Sequence, residues 1–422
     1  MLNIFMEVLL EFIDRKVFHN ILRFLGYKEA IIIYGARQVG KTTIMKMIIN
    51  HLKNNNIPEE AIFYLDLEDL DLLQLCEEGI DSIIKYIEAR TSYKKKIYIF
   101  IDEIQYLNNP ANFIKIMVDN YSDRFKIILS GSSVLGIKSK IKQSLVGRIV
   151  TFEVFCLDFE EFLRFKGIKY NLLSVEDDKT RKELIKLFKE FVIFGGYPRS
   201  TLIHIIEDKK YYLKELVQTY IKKDIKDIGN VGNIMKFNNL LRILASQTGN
   251  LLNIDEISSS VKIAKETVYH YLALLEGTYI ARRLPPFFRN VRSELTKMPK
   301  IYFEDNGILN YLRYNDIIET IDGQAFENCI YTEFQKIAGF NNLKYWRTQA
   351  KQEIDFIVEK KGKLFAFETK MAYSGKKVSG LKYFSKKYSN SKIFAIVLKQ
   401  TKSSEQQKNI SVIYPWEIER NL

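Results

Sequence analysis

Short apolar, β-branched runs alternate with stretches of helical spacing through the first part of the chain. Ala30–Tyr34 is one such run, and Thr43 to Leu52 follows it with helical spacing. Ala61–Leu67, Ile97–Ile101, Lys126–Leu129 and Ile149–Phe155 are further strand-like runs, interleaved with the helix-like Asp81–Arg90, Ala111–Tyr121 and Ser139–Val146. Continuous apolar runs of this length suit strands buried on both faces. Their alternation with helices predicts a parallel sheet covered by helices.

The pattern then changes. Leu172 to Gly229 is rich in Lys, Glu, Leu, Ile and Tyr, with few breakers apart from Gly195-Gly-Tyr-Pro198, and reads as a helical lid or connector. From Asn233 a helix runs to about Ser246, and Ile254–Ile257 and Lys265–Glu276 are two short helices around the polar turn at Ser258. Tyr279–Leu284, Phe287–Asn290 and Lys300–Phe303 follow as a β-hairpin, so the segment resembles a helix-turn-helix carrying a wing. In the last third Gln324–Phe334 has helical spacing, and Tyr345–Arg347, Glu353–Val358 and Leu364–Lys370 are strand-like. The expected domains are residues 1–165, 166–230, 231–303 and 304–422, all within the α/β class.

Between the first strand and the first helix, Gly35, Ala36, Arg37, Gln38, Val39, Gly40, Lys41 and Thr42 fit the phosphate-loop pattern G-x-x-x-x-G-K-[ST], with Thr43 next. The two glycines let backbone N–H groups turn toward an anion, and the following helix adds its positive end. Lys41 is placed to reach the outer phosphates and Thr42 to ligate magnesium. The run Ile97–Ile101 delivers Asp102 to the same sheet edge to hold the metal, with Glu103 one step further to polarise the attacking water. Lys126–Leu129 ends in Ser130-Gly-Ser132-Ser, where a hydroxyl can sense the terminal phosphate or simply stop the strand. Arg148 and Arg199 are candidates for the positive charge that phosphoryl transfer needs, within one chain or toward a neighbour's site in a homo-oligomer.

These motifs, with Val146-Gly-Arg148 leading into Phe155–Phe162, resemble the large group of prokaryotic and archaeal AAA-type ATPases. Many of those join the ATPase core to a winged helix and a C-terminal restriction-endonuclease-like fold. The resemblance implies a P-loop NTPase sheet and ATP rather than GTP, which the phosphate loop alone does not distinguish.

The last third carries a second constellation. Glu327 lies on the predicted helix, Asp355 on one strand, and Glu368 and Lys370 on the next, joined by a turn at Gly362. This order is similar to that of PD-(D/E)xK nucleases. In such a site Asp355 and Glu368 ligate magnesium, Glu327 completes the metal environment, and Lys370 orients or deprotonates water. Thr369 is expected to point into the core. A fold retained without catalysis is the alternative, in which ATP controls a regulatory switch and the domain only recognises a partner.

Sixty-four Lys plus Arg against fifty-one Asp plus Glu leave a net charge of +13 and a pI near 9.2, which favours a polyanionic partner such as DNA. Arg282, Arg283, Arg289 and Arg292 lie on or near the wing, and Lys376, Lys377, Lys382, Lys386 and Lys387 follow the last motif. Cys76, Cys156 and Cys329 are too scattered for a disulfide framework or a metal cluster, which suits a reducing cytoplasm. Met1 to Leu25 is interrupted by charges, unlike a signal peptide, and no apolar run approaches the roughly 20 residues needed to cross a bilayer. No membrane partner is expected.

Overall fold

The computed structural model describes residues 12–131, 145–172, 175, 177–219, 232–288, 298–373, 378–400 and 410–422. The chain forms two compact units, Met1–Phe155 and Cys156–Leu422.

The first unit contains α1 (Lys16–Leu22), β1 (Ala30–Gly35), α2 (Lys41–Asn54), β2 (Ile62–Asp66), α3 (Leu70–Glu77), α4 (Ile80–Glu88), β3 (Ile97–Asp102), α5 (Pro110–Tyr121), β4 (Phe125–Gly131) and β5 (Ile149–Val154). The strands order as β2-β3-β4-β1-β5, with every pairing parallel. Ile31, Ile32 and Ile33 are all buried, as a strand covered on both faces requires. Because the strands are parallel, their carboxyl ends share one edge. There β1 runs into residues 36–40, β3 ends at Asp102 and β4 ends at Gly131. This is the P-loop NTPase fold expected from the motifs. Of the expected helix Ser139–Val146, residues 139–144 lie outside the described residues.

The second unit begins earlier than residue 166, because α6 (Phe159–Phe165) belongs to its core. Phe159 and Phe162 pack on Phe188 and Phe191 of α7 (Asp178–Phe194). Two further helices follow, α8 (Pro198–Leu202) and α9 (Ile206–Thr219). The described part of the segment expected as a lid or connector lies in this unit. Leu184, Phe188 and Val192 share one apolar cluster with Phe326, Ile330 and Phe334 from the last third of the chain.

Next come α10 (Ile234–Ser246), α11 (Ile254–Val261), α12 (Lys265–Gly277), β6 (Ala281–Leu284) and β7 (Lys300–Phe303). β6 and β7 pair antiparallel as a two-stranded sheet, and Leu251, ahead of the two helices of the turn, makes an isolated antiparallel bridge to Lys300. After α13 (Asn306–Tyr314) and α14 (Gly323–Ala338), a five-stranded mixed sheet is built from β8 (Leu343–Arg347), β9 (Glu353–Lys360), β10 (Lys363–Tyr373), β11 (Ser391–Gln400) and β12 (Ser411–Ile413), with α15 (Ser379–Lys387) between β10 and β11. The order is β12-β11-β10-β9-β8. The β8–β9 and β9–β10 pairs are antiparallel, and the pairs beyond β10 are parallel. Phe356, Phe367 and Ile396 pack with α14, while Ala366, Ala395 and Val397 pack with Leu381 and Phe384 of α15. A terminal turn, α16 (Ile418–Asn421), closes the chain. Among the described residues no helix is long and apolar enough to cross a membrane.

Candidate functional sites

The phosphate loop is held by its own backbone. Gln38 (φ 60°) and Gly40 (φ 98°) take left-handed conformations, and Gly40 caps the amino end of α2. At Gly35 a Cβ would lie 2.1 Å from the Val154 carbonyl oxygen, so β5 passes too close for any side chain. Lys41, only 5% exposed, donates to the carbonyls of Gly35 (3.1 Å) and Ala36 (2.7 Å), which holds its amine over the loop. Val39 is buried, while Gln38, Thr42 and Thr43 are exposed. Arg15, ahead of α1, donates from one nitrogen to the Val39 carbonyl and from another to the Phe155 carbonyl, both at 2.9 Å. It ties the loop to the end of β5.

Asp102 gathers the remaining polar groups. Its Oδ2 accepts from the Thr42 hydroxyl (2.8 Å) and the Tyr64 hydroxyl (2.5 Å), and its Oδ1 is bonded to the buried Ser130 hydroxyl. The Glu103 amide donates to Asp102 Oδ1 (3.1 Å) and to Ser130 Oγ (3.2 Å). Burial, reinforced by the bond to Asp102, pushes the Tyr64 phenol far above its ordinary pKa. Glu103 stands in the left-handed region (φ 56°), and its carboxylate accepts from the Gln105 amide. Hydroxyl and carboxylate in direct contact, beside an anchored ammonium, fit the magnesium ion that accompanies a triphosphate. Thr42 and Asp102 would hold it, and the ion would supply charge neutralisation for phosphoryl transfer.

Of the other candidates at this sheet, Ser130 joins Asp102, and Ser132 lies outside the described residues. Arg148 does not join the site in its own chain. Its carbonyl pairs with the Ala30 amide at the start of β1, a strand's length, roughly 20 Å, from the phosphate loop. There its guanidinium pairs with Asp119 (2.6 and 3.0 Å). Arg199 belongs to the second unit, where it stacks over the Tyr212 ring.

In the C-terminal sheet, alternation puts Glu368 and Lys370 on one face of β10, with Lys370 Nζ 2.7 Å from Glu368 Oε1. Asp355 on β9 accepts through Oδ2 from the Thr369 amide (2.7 Å) and the Thr369 hydroxyl (2.8 Å). Thr369 is therefore more than the small core residue expected from the alternation, since its hydroxyl orients Asp355. Two further residues enter from outside the motif. Lys300 of β7, 2% exposed, reaches Glu353 (2.7 Å), Glu327 (3.3 Å) and Asp355 (3.9 Å). The Tyr302 hydroxyl donates to Glu327 at 2.5 Å.

Burial, with the charge of Asp355 added, raises Glu327 to about 7 and Glu368 to about 8, against the pull of Lys300 and Tyr302 on the first and Lys370 on the second. Burial works against the Lys300 ammonium, but Glu327, Asp355 and Glu353 outweigh it and hold its pKa above the ordinary lysine range. Among the described residues, no three His, Cys, Asp or Glu are placed to hold a metal ion together. The Asp355 and Glu368 pair fits one cation, because Glu368 Oε2 is buried without a hydrogen-bond partner among them. Glu327 Oε1 is engaged by Lys300 and Tyr302.

The basic residues of the hairpin also depart from expectation. Arg282 is buried against Glu304 (2.9 Å), and Arg283 makes a two-pronged pair with Glu276 (2.7 and 2.8 Å). Both are internal ties. Arg289, Arg292, Lys376 and Lys377 lie outside the described residues. On α12, Lys265, Tyr269 and His270 are exposed and Thr267 is half-buried; on α15, Lys382, Lys386 and Lys387 are exposed.

A family model described as an AAA domain matches residues 27–163. Two models of domains of unknown function, DUF8612 and DUF4143, match residues 185–317 and 322–418. An uncharacterized protein of Methanocaldococcus jannaschii is 29% identical over 334 residues, covering 78% of this chain and 71% of the relative. One from Mycobacterium tuberculosis is 24% identical over 356 residues, covering 82% and 71%. Among solved structures, the Aeropyrum pernix ORC1 protein in complex with DNA aligns with 70% of this chain and 91% of its own at 12% identity and a TM-score of 0.32. The first unit thus combines a P-loop NTPase fold with sequence similarity to an AAA domain.

Proposed function

We propose that the protein binds and hydrolyses ATP in its first unit and acts on DNA through its second. The observation that carries the ATPase reading is the Thr42–Asp102 contact beneath an anchored Lys41, on a domain similar to AAA domains. Lys41 contacts the outer phosphates, Thr42 and Asp102 hold magnesium, and Glu103, oriented by Gln105, polarises the water. Arg148 is reserved for a neighbouring copy, because its place at the far edge of the sheet removes it from its own nucleotide.

The helices α10 to α12 with Leu251, β6 and β7 have the element order of a winged helix, and the exposed face of α12 is its DNA-contacting surface. The helix–strand–strand–strand–helix–strand order from α14 to β11, with Asp355, Glu368 and Lys370 gathered, supports a nuclease-like domain with one metal position. The decisive experiment measures ATP turnover with and without duplex, branched and single-stranded DNA. Wild type is expected to hydrolyse ATP and Lys41→Ala to lose binding; unchanged turnover in Lys41→Ala would sink the ATPase reading. In parallel, magnesium-dependent cleavage by wild type and not by Lys370→Ala supports the nuclease reading. A second reading, in which this domain only recognises a partner, is favoured by the engagement of Glu327 by Lys300, and predicts no cleavage of any DNA by wild type.

A further inference from the structure

The acidic centre of the C-terminal sheet contains four carboxylates, from Glu327, Glu353, Asp355 and Glu368. Among the described residues three side-chain cations meet them: Lys370 on Glu368, Arg347 on Glu353 (3.3 Å), and Lys300. Lys300 differs from the other two in kind. It is almost wholly buried, comes from the hairpin strand β7 rather than from the sheet, and contacts carboxylates from two elements, α14 and β9. Its ammonium lies where Glu327 and Glu353 would otherwise face each other unscreened, at a buried position where unpaired carboxylates are costly. The Tyr302 hydroxyl, two residues along the same strand, takes the same oxygen of Glu327.

We infer that Lys300 is a tethered cation occupying one cation position of this acidic centre, so that only the Asp355 and Glu368 pair remains open to a divalent metal. Lys300 is then a positioning residue: it fixes Glu327 and Glu353 and limits how many metal ions the centre accepts. The strand that carries it belongs to the hairpin of the proposed winged helix, so the state of that hairpin and the charge of the centre are linked through one side chain. The inference rests on the nuclease-like reading only for the open pair, and the position of Lys300 stands without it.

The test counts manganese ions bound by the full chain without nucleotide, by calorimetry and by electron paramagnetic resonance. Lys300→Met is expected to bind one manganese ion more than wild type, and Glu327→Gln in the Lys300→Met background is expected to lose that ion. Lys300→Arg keeps the wild-type count. A folded Lys300→Met with the wild-type count overturns the inference, as does a wild type that binds two ions at the centre, both lost in Asp355→Asn. Should Lys300→Met fail to fold without metal, refolding with manganese is expected to recover it. The wild-type count then decides: none or one supports an occupied position and two overturns it. One ion against none separates the fates of the two readings, because an empty wild type removes the metal pair of the nuclease reading and leaves the role of Lys300 intact.

Discussion

Glu103 shows how little of a site's chemistry resides in a residue type. Its identity follows from the apolar strand that precedes it, but its left-handed backbone and the Gln105 amide on its carboxylate decide where that carboxylate points. Glu103→Gln is expected to bind ATP with unchanged affinity and to lower turnover by roughly 10²–10⁴-fold, the usual worth of a positioned general base. Equal losses of binding and turnover in a filter-binding and phosphate-release comparison would assign Glu103 to nucleotide binding instead. At the same scale Arg15, Tyr64 and Thr369 were not recognisable as site residues. Arg15 and Tyr64 belong to no spaced motif, Thr369 is only the variable position between Glu368 and Lys370, and each acts through a bond that spans many residues of chain or joins adjacent strands.

Among the elements, two polar junctions link distant parts of the second unit. Asp305 caps α13 by accepting from the Gly307 and Ile308 amides, and its other oxygen accepts from the Gly196 amide. Gly195, in the left-handed region, passes so close that a Cβ there would meet the Asp305 carboxylate. Asp305→Ala removes a cap and strands buried amides, a cost of about 2–3 kcal/mol that urea denaturation should register. The Gly-Gly-Tyr-Pro segment was legible as a break between helices. That it receives a carboxylate more than a hundred residues away was not.

Glu190 of α7 makes the other junction, pairing with Lys166 (2.8 Å) and with Lys209 of α9 (2.9 Å). Burial raises its pKa, but the two lysines outweigh that and leave it below the ordinary glutamate value of 4.5. The folded chain therefore binds this proton less tightly than the unfolded one. The pairs stabilise above that value, and their contribution disappears as pH falls through the lowered pKa. Glu190→Gln is expected to cost about 1–2 kcal/mol at pH 7 and progressively less at an acid pH below the lowered pKa, read from paired urea melts. A deficit of equal size at both pH values would assign the loss to packing.

For the molecule as a whole, net positive charge pointed to a polyanion, but folding divides the basic residues into two populations. Arg282 and Arg283 are consumed by internal pairs, while Lys265, though paired at the surface with Asp255 (2.5 Å), and His270 stay exposed on α12. Lys265→Ala is expected to weaken DNA binding about tenfold at low salt and to shallow its salt dependence by about one ion. Arg283→Ala should leave DNA affinity unchanged and lower stability by about 1–2 kcal/mol. Titrations of both variants at several salt concentrations check this, and the reverse assignment would move the DNA surface to the hairpin.

The order of apolar runs, the glycine-lysine-threonine turn and the spacing of acidic residues determined the P-loop sheet and, in the last third, the helix α14 and the strands β8 to β10 with the acidic residues they carry. These are local properties, written in periodicity and in the backbone needs of a few positions. β11, β12 and the mixed strand order were not among them. Only the tertiary structure decided that α6 joins the second unit, that Arg148 pairs with Asp119 near the start of β1, away from the phosphate loop, and that Lys300 enters the acidic centre. Each of those outcomes depends on which distant surfaces bury one another and which charges must then be paired, and no spacing along the chain encodes that.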